Sequence, residues 1–323
     1  MAGRRARREV VGFPYGDGGL HIAVGFESGP ADKASNAQPD PHDPGSTRDM
    51  ESLTSTAVVL LPLAYLLAAV AYGLVFFTSN RIADRLASPW LLGTVGVHLA
   101  YLGALTLRYQ QLPAATVPQA FSIMAFAVAV VYLFVEWREK DRSSGFWLVS
   151  LVFIFQLFAS LLARPEPPSR ELLHMPLFAV HVFLALLGYT AFAVAAAYGF
   201  LYLRLYRELK RGTFSTFYGK LPPLEILDGM MGGALVVGFL SLSGAVVCGL
   251  IGAESLLGTV WWADPKILST LLVWALYGLS LLLRWRHRWQ GRQTALVSLA
   301  GLGVILFSLV GVNYLFTGFH GFG

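Results

Sequence analysis

The sequence predicts an all-α fold: a polytopic membrane helix bundle with about eight transmembrane helices. Sparse charge, its placement and the absence of a strand pattern carry that prediction. Hydrophobic residues make up 55% of the 323 positions and charged residues 13%, with a mean hydropathy of +0.59; soluble domains carry about 25% charge. The charges leave eight windows free of Asp, Glu, Lys and Arg: Ser52–Asn80, Leu86–Leu107, Tyr109–Val135, Ser143–Ala163, Leu172–Leu203, Gly229–Ala253, Ile267–Leu283 and Gln293–Gly323. A spanning helix needs roughly 17–25 mostly apolar residues. Backbone polar groups in lipid must be satisfied within helices or closed barrels, and no window alternates with the two-residue period of a barrel strand. A soluble bundle of eight buried helices would need a polar outer face, which these segments lack.

The elements divide the chain in two. Residues 1–51 form an expected disordered tail, rich in Gly, Pro, Asp and Ser, with the linker-like run Gln38–Ser46. No signal-peptide apolar region precedes Ser52. Six basic residues in this tail sit awkwardly with the charge rule below, so translation starting at Met50 is one expectation. Residues 52–323 form the expected membrane domain. Its seventh window is the shortest, and Arg284 and Trp285 extend it by snorkelling and interfacial anchoring.

Orientation follows from the basic residues of the short loops. Alternate loops hold Arg81, Arg85, Arg138, Lys140, Arg142, Arg204, Arg207, Lys210, Arg211, Lys220, Arg284, Arg286, Arg288 and Arg292, 14 in all. The other set holds 4: Arg108, Arg164, Arg170 and Lys266. The first set belongs in the cytoplasm, which places both termini, the loop 163–176 and the loop 253–266 outside. The expected location is the bacterial inner (plasma) membrane, with both termini periplasmic. The net charge of +5 follows from this bias and argues against nucleic acid. The cluster Arg284–Trp289 suits anionic headgroups beside a span. Cys248 is alone, so no disulfide or dithiol chemistry is available, and there is no Cys-x-x-Cys-His for covalent heme.

Ionisable residues within spans are costly and mark function. Here they are histidines. His181 lies near the outer end of the fifth window, His320 beyond the eighth and His174 in the preceding outer loop. His98, near the middle of the second, is either a hydrogen-bonded packing residue or a ligand. The outer loop Gly258–Lys266 places Trp261 beside Trp262, a pair that also suits a plain membrane interface. Asp264 can cap the next helix, Pro265 suits its first turn, and Lys266 sets a cation on the outer face. An aromatic shelf, a capped helix and a cation suit a flat aromatic ligand with acidic substituents. Heme fits, its iron taking two imidazoles as axial ligands, His320 from one side and His181 or His174 from the other.

Three segments then resemble a known family, the cytochrome c assembly proteins, heme handlers that include CcsA (ResC), CcmC and a HemX-like branch. The family's outer loop runs approximately Trp-Gly-x-Tyr-Trp-x-Trp-Asp-Pro-Lys-Glu, matched by Gly258, Trp261, Asp264, Pro265 and Lys266. Trp262 falls on a variable position, and Leu257, Val260, Ala263 and Ile267 depart from it. His181 through Tyr189 is similar to a helix opening His-Val-x-Leu-x-x-x-Ser-Tyr, with Gly188 for the Ser. Gly311–His320 is similar to the family's ending Gly-Val-Asn-x-Leu-x-x-Gly-x-His. The likeness is close from Leu172 onward and general before it.

The resemblance implies that His181 and His320 ligate a non-covalent heme b on the outer face while the Trp-rich loop holds its edge. The heme is then presented to an apocytochrome c, whose thiols meet its vinyl groups. The chain's contribution is positioning, part of a heme lyase rather than a self-contained enzyme. A CcsB (ResB)-like membrane protein is the partner implied. A histidine that some members carry in the helix after the loop is replaced by Leu282. Two alternatives stay open: a HemX-like regulator of heme biosynthesis, and a heme-free scaffold subunit of a larger membrane complex, the reading that the altered Trp loop favours. A transporter fits less well, because the spans show no repeat.

Overall fold

The structure is a computed structural model that describes residues 44–323 except 115, 164–174, 214, 258–264, 287, 288, 290 and 313–323, and at 44–53, 216, 253–257 and 266 it describes the backbone alone. The elements in order are α1 (Pro44–Thr78), α2 (Arg81–Tyr109), α3 (Val117–Glu139), α4 (Gly145–Leu161), α5 (Pro176–Arg211), a short α6 (Thr216–Lys220), α7 (Leu224–Leu257), α8 (Pro265–Trp285) and α9 (Arg292–Leu306). The last runs into a π-helical turn, Phe307–Val312. No strand occurs among the described residues. The fold is the all-α membrane bundle that the charge-free windows predict.

Eight long helices correspond to the eight windows. Seven are long and apolar enough to cross a membrane, and α4 is an apolar helix of 17 residues. At 1.5 Å per residue α4 is about 25 Å long, at the short limit for a span. The protein is therefore multi-pass. The windows and the helices differ at their edges for local reasons. The first helix opens at Pro44, so part of the expected 1–51 tail is helical; residues 1–43 lie outside the described residues. The third window begins at Tyr109, but α3 begins at Val117. Gln110, at φ +51°, closes α2, and the Thr116 side chain caps α3 by accepting from Gln119 N–H. This turn carries no charge, so charge spacing alone cannot see it. Asn80 makes the same kind of cap, its side chain accepting from the N–H groups of Ile82 and Ala83 at the start of α2.

Side-chain bonds gather the basic loops at one end of the bundle. Lys220 donates to Phe76 O and to Ser79 Oγ at 2.8 Å. Arg142 reaches Asp84 at 2.6 Å and Glu136 at 2.7 Å. Glu136, almost wholly buried, also accepts from Tyr72 at 2.5 Å and from Ser88. Burial alone would lower the pKa of Arg142; hydrogen bonds and charge from Glu136 and Asp84 outweigh it and raise it. Arg284 forms a bidentate pair with Asp228, at 2.7 and 2.6 Å, and Asp228 also accepts from Gly291 N–H. These carboxylates let the charged loops close over the helix ends with their charges paired. We refer to this as the basic end.

Helix α5 is the spine. It packs most extensively on α7 and α9 and also reaches α3 and α4. Phe192 stacks on Tyr277 of α8 with ring centroids 3.7 Å apart, and the Tyr277 hydroxyl donates to Ser298 O of α9. Outward faces carry Leu63, Leu67 and Leu74 on α1, Leu92 and Leu99 on α2, and Val237 and Leu240 on α7, as hydrocarbon requires.

Candidate functional site

The end opposite the basic loops carries His181. Pro176 opens α5 at its first turn, and His181 follows one turn later, half-buried against α7. Its Nδ1 lies 2.7 Å from Ala245 O. A carbonyl oxygen only accepts, so Nδ1 carries the proton and donates. Nε2 is then the basic nitrogen of the ring. This is the arrangement common to metal-ligating histidines, in which a backbone carbonyl takes the second ring N–H and fixes the tautomer. Phe178 flanks the ring with centroids 5.8 Å apart.

The seat for the ring is made by Gly249, one turn beyond Ala245 on α7. A Cβ at this position would lie 2.8 Å from Cε1 of His181 and 2.9 Å from Nδ1. Ordinary carbon contacts are about 3.5–4.0 Å, so only glycine leaves room for the imidazole in this position.

Other contacts show which chain segments leave the bundle beside His181. Ser269, near the start of α8, bonds Ser308 of the π-helical turn at 2.7 Å. Tyr189 of α5 meets Thr270 of α8 at 3.4 Å. The end of α7, the start of α8 and the end of the α9 segment therefore share the end where His181 sits. Pro265 is the first residue of α8, the position that the sequence assigns to it. Lys266 follows in the same first turn. Gly258, Trp261, Trp262 and Asp264 lie outside the described residues, as do His174 and His320. The π-helical turn at Phe307–Val312 is the last described element before His320; such turns recur at functional sites.

His98 is placed elsewhere. It is fully buried between α1, α2 and α3. Nδ1 lies 2.9 Å from the Tyr65 hydroxyl and Nε2 2.9 Å from Ser122 Oγ. Ser122 in turn donates to Gln156 Oε1 on α4 at 3.2 Å. Both ring nitrogens are engaged in a polar chain across four helices. Tyr65, Ser122 and Gln156 carry no charge at neutral pH, so a search for charged groups and histidines within spans passes over them. Gly249 and the Ala245 carbonyl are also silent in the sequence, since neither has a reactive side chain.

Comparison with known proteins shows the family. The sequence profile of the family described as "Cytochrome C assembly protein" matches residues 63–320. The chain belongs to the cytochrome c assembly protein family. Among relatives, "Cytochrome c biogenesis protein CcsA" of Synechococcus sp. (strain CC9311) is 39% identical over 99 residues, covering 31% of this chain and 32% of that protein. The chain thus spans about a third of the length of the first such relatives. Longer matches exist at lower identity. The protein of the same name from Prochlorococcus marinus (strain NATL1A) is 25% identical over 301 residues, 82% of this chain and 94% of its own. That of Heterosigma akashiwo (strain NIES-293 / 8280G21-1) is 22% identical over 280 residues, 76% and 87% respectively. The family region includes α1 from Leu63, all later helices and His320.

Proposed function

We propose that this chain is a heme-handling factor of cytochrome c biogenesis, which binds heme b at the His181 end and presents it to an apocytochrome c. The observation that carries the reading is the Nδ1–H bond from His181 to Ala245 O over the Gly249 seat. It leaves Nε2 as the basic nitrogen, the donor that heme iron takes from an imidazole. His320 is the second ligand in this reading. Gly258, Trp261, Trp262, Asp264, Pro265 and Lys266 hold the exposed edge, the indoles against the macrocycle and the Lys266 ammonium toward a propionate. Bound heme would supply the vinyl carbons that the cytochrome thiols attack; the chain contributes position and orientation. His98, with both nitrogens engaged, serves in packing. The protein lies in the bacterial plasma membrane with the His181 end outward, and a CcsB-like protein is its membrane partner.

Purification without added heme tests this. The expected result is a bis-histidine b-type absorption spectrum, lost in His181→Ala and in His320→Ala. A colourless protein that takes up no heme on titration would overturn the reading. The departures at Leu257, Val260 and Ala263 from the family's aromatic shelf favour one second reading, a heme-free scaffold, which that colourless result would support.

A further inference from the structure

The opposite end of α5 carries a feature that heme handling does not use. The last two turns present Arg204, Arg207 and Arg211, spaced i, i+3 and i+7, so that they share one face of the helix. Beyond Gly212 the chain hooks back. Thr213 N–H donates to Glu208 O, while the Glu208 carboxylate accepts from Ser215 Oγ at 2.6 Å and Ser215 N–H at 3.4 Å. Glu208 is nearly buried by this hook. Arg204 lies over the Phe217 ring at 4.6 Å and 3.8 Å from Glu208. The result is a cleft of about 250 Å³ lined by Arg204, Arg207, Glu208, Arg211 and Thr213. Among the described residues, neither Arg207 nor Arg211 makes an ion pair, and both are exposed.

We propose that this cleft binds a phosphate-bearing anion, with an anionic lipid headgroup as its occupant. Three guanidinium groups face one concavity and a single carboxylate, already committed to Ser215, faces it with them, so the cleft is net cationic. Guanidinium forks match phosphate oxygens. The depth is also right. Arg204 ends the apolar run of α5, and Arg211 stands about 10 Å further along the axis. That interval spans the headgroup layer, about 5–7 Å on each side of the hydrocarbon core. A positive-inside bias alone asks only for charge near the helix end; it does not ask for three arginines around a hook pinned by a buried glutamate.

The proposal stands apart from the heme reading, and its test uses the full chain in detergent and lipid. Native mass spectrometry would compare retention of phosphatidylglycerol and phosphatidylcholine. Each charge-assisted guanidinium–phosphate contact made within the cleft is worth about tenfold or more, so Arg207→Gln/Arg211→Gln is expected to lower the preference for phosphatidylglycerol about 100-fold. Arg85→Gln/Arg138→Gln, at the same end but outside the cleft, should retain it. Inorganic phosphate is the second probe, read by thermal denaturation. Stabilisation of the wild type but not of the cleft variant, with no lipid preference, would keep the anion site and make the occupant a soluble phosphate. Equal loss in both double variants would reduce the effect to general surface charge and overturn the proposal. A wild type indifferent to both probes would overturn it too.

Discussion

Gly249→Ala tests the histidine seat with one methyl group. The added Cβ would lie 2.8 Å from Cε1 of His181. Restoring an ordinary contact of about 3.5 Å moves the ring by about 0.7 Å. Displaced directly away from α7, Nδ1 goes from 2.7 Å to about 3.4 Å from Ala245 O, beyond the usual range of an N–H···O bond. Loss of such an outer hydrogen bond typically weakens a metal–imidazole site about 10–100-fold. Helix propensity pulls the other way: alanine in place of glycine favours an exposed helix by about 1 kcal/mol. The variant should therefore fold while binding heme about 10–100-fold more weakly. The assay is heme titration followed by absorption, with melting temperature measured on the same samples. Gly252→Ala, whose Cβ meets nothing within 4 Å, is the control. Wild-type affinity in a folded Gly249→Ala protein would refute the reasoning, as would an equal loss in the control.

Three further outcomes follow from the same structure. Asp228→Ala strands the Arg284 guanidinium and Gly291 N–H; the pair is only partly buried, so the loss should be about 2 kcal/mol, visible as an earlier thermal transition, and an unchanged transition would show the pair to be dispensable. His98→Ala removes two hydrogen bonds and opens a cavity, for a loss of about 2–3 kcal/mol, yet should leave the heme spectrum intact; a lost spectrum in a folded protein would make His98 a ligand. Reporters fused after Gly323 and inserted at Gly219 should read opposite sides of the membrane, the first outside; a cytoplasmic C-terminal reading would separate His320 from an outward-facing His181.

What the sequence shows and hides follows from what each feature depends on. Spans are legible because hydrocarbon excludes charge, so eight gaps between charges became eight long helices. Turns without charge, such as Gln110–Thr116, are hidden, because nothing in composition separates them from a span. His181 stood out as an ionisable group in an apolar segment, and Pro265 as a helix opener; both lie where these types predict. Gly249 could not stand out, because its role is to be small beside a residue 68 positions away. The same holds for Asp228 and Arg284, whose pairing depends on two helices meeting. His98 was visible as a histidine, but only its neighbours Tyr65 and Ser122 distinguish packing from ligation.

The placement of His181 depends in turn on how closely α5 can approach its neighbours, and this is testable away from the site. A Cβ on Gly188 would lie 3.1 Å from Gly238 O and from Leu242 N, both backbone atoms of α7. A Cβ on Gly199 would lie 3.2 Å from Ala295 Cα and O on α9. Backbone cannot swing aside as a side chain does. These two glycines, three turns apart, let α5 lie directly on both neighbours, as small residues do between membrane helices. Gly188 is two turns from His181, so pushing α7 away there also pulls Ala245 from the ring. Gly188→Ile should push the two helices apart, and overpacking of this kind costs about 1–3 kcal/mol. The expected outcome is a lower melting temperature together with weaker heme binding. Leu240→Ile, on the outward face of the same stretch of α7, should change neither. If Gly188→Ile lost stability but bound heme as the wild type does, the histidine would be seated independently of the α5–α7 spacing.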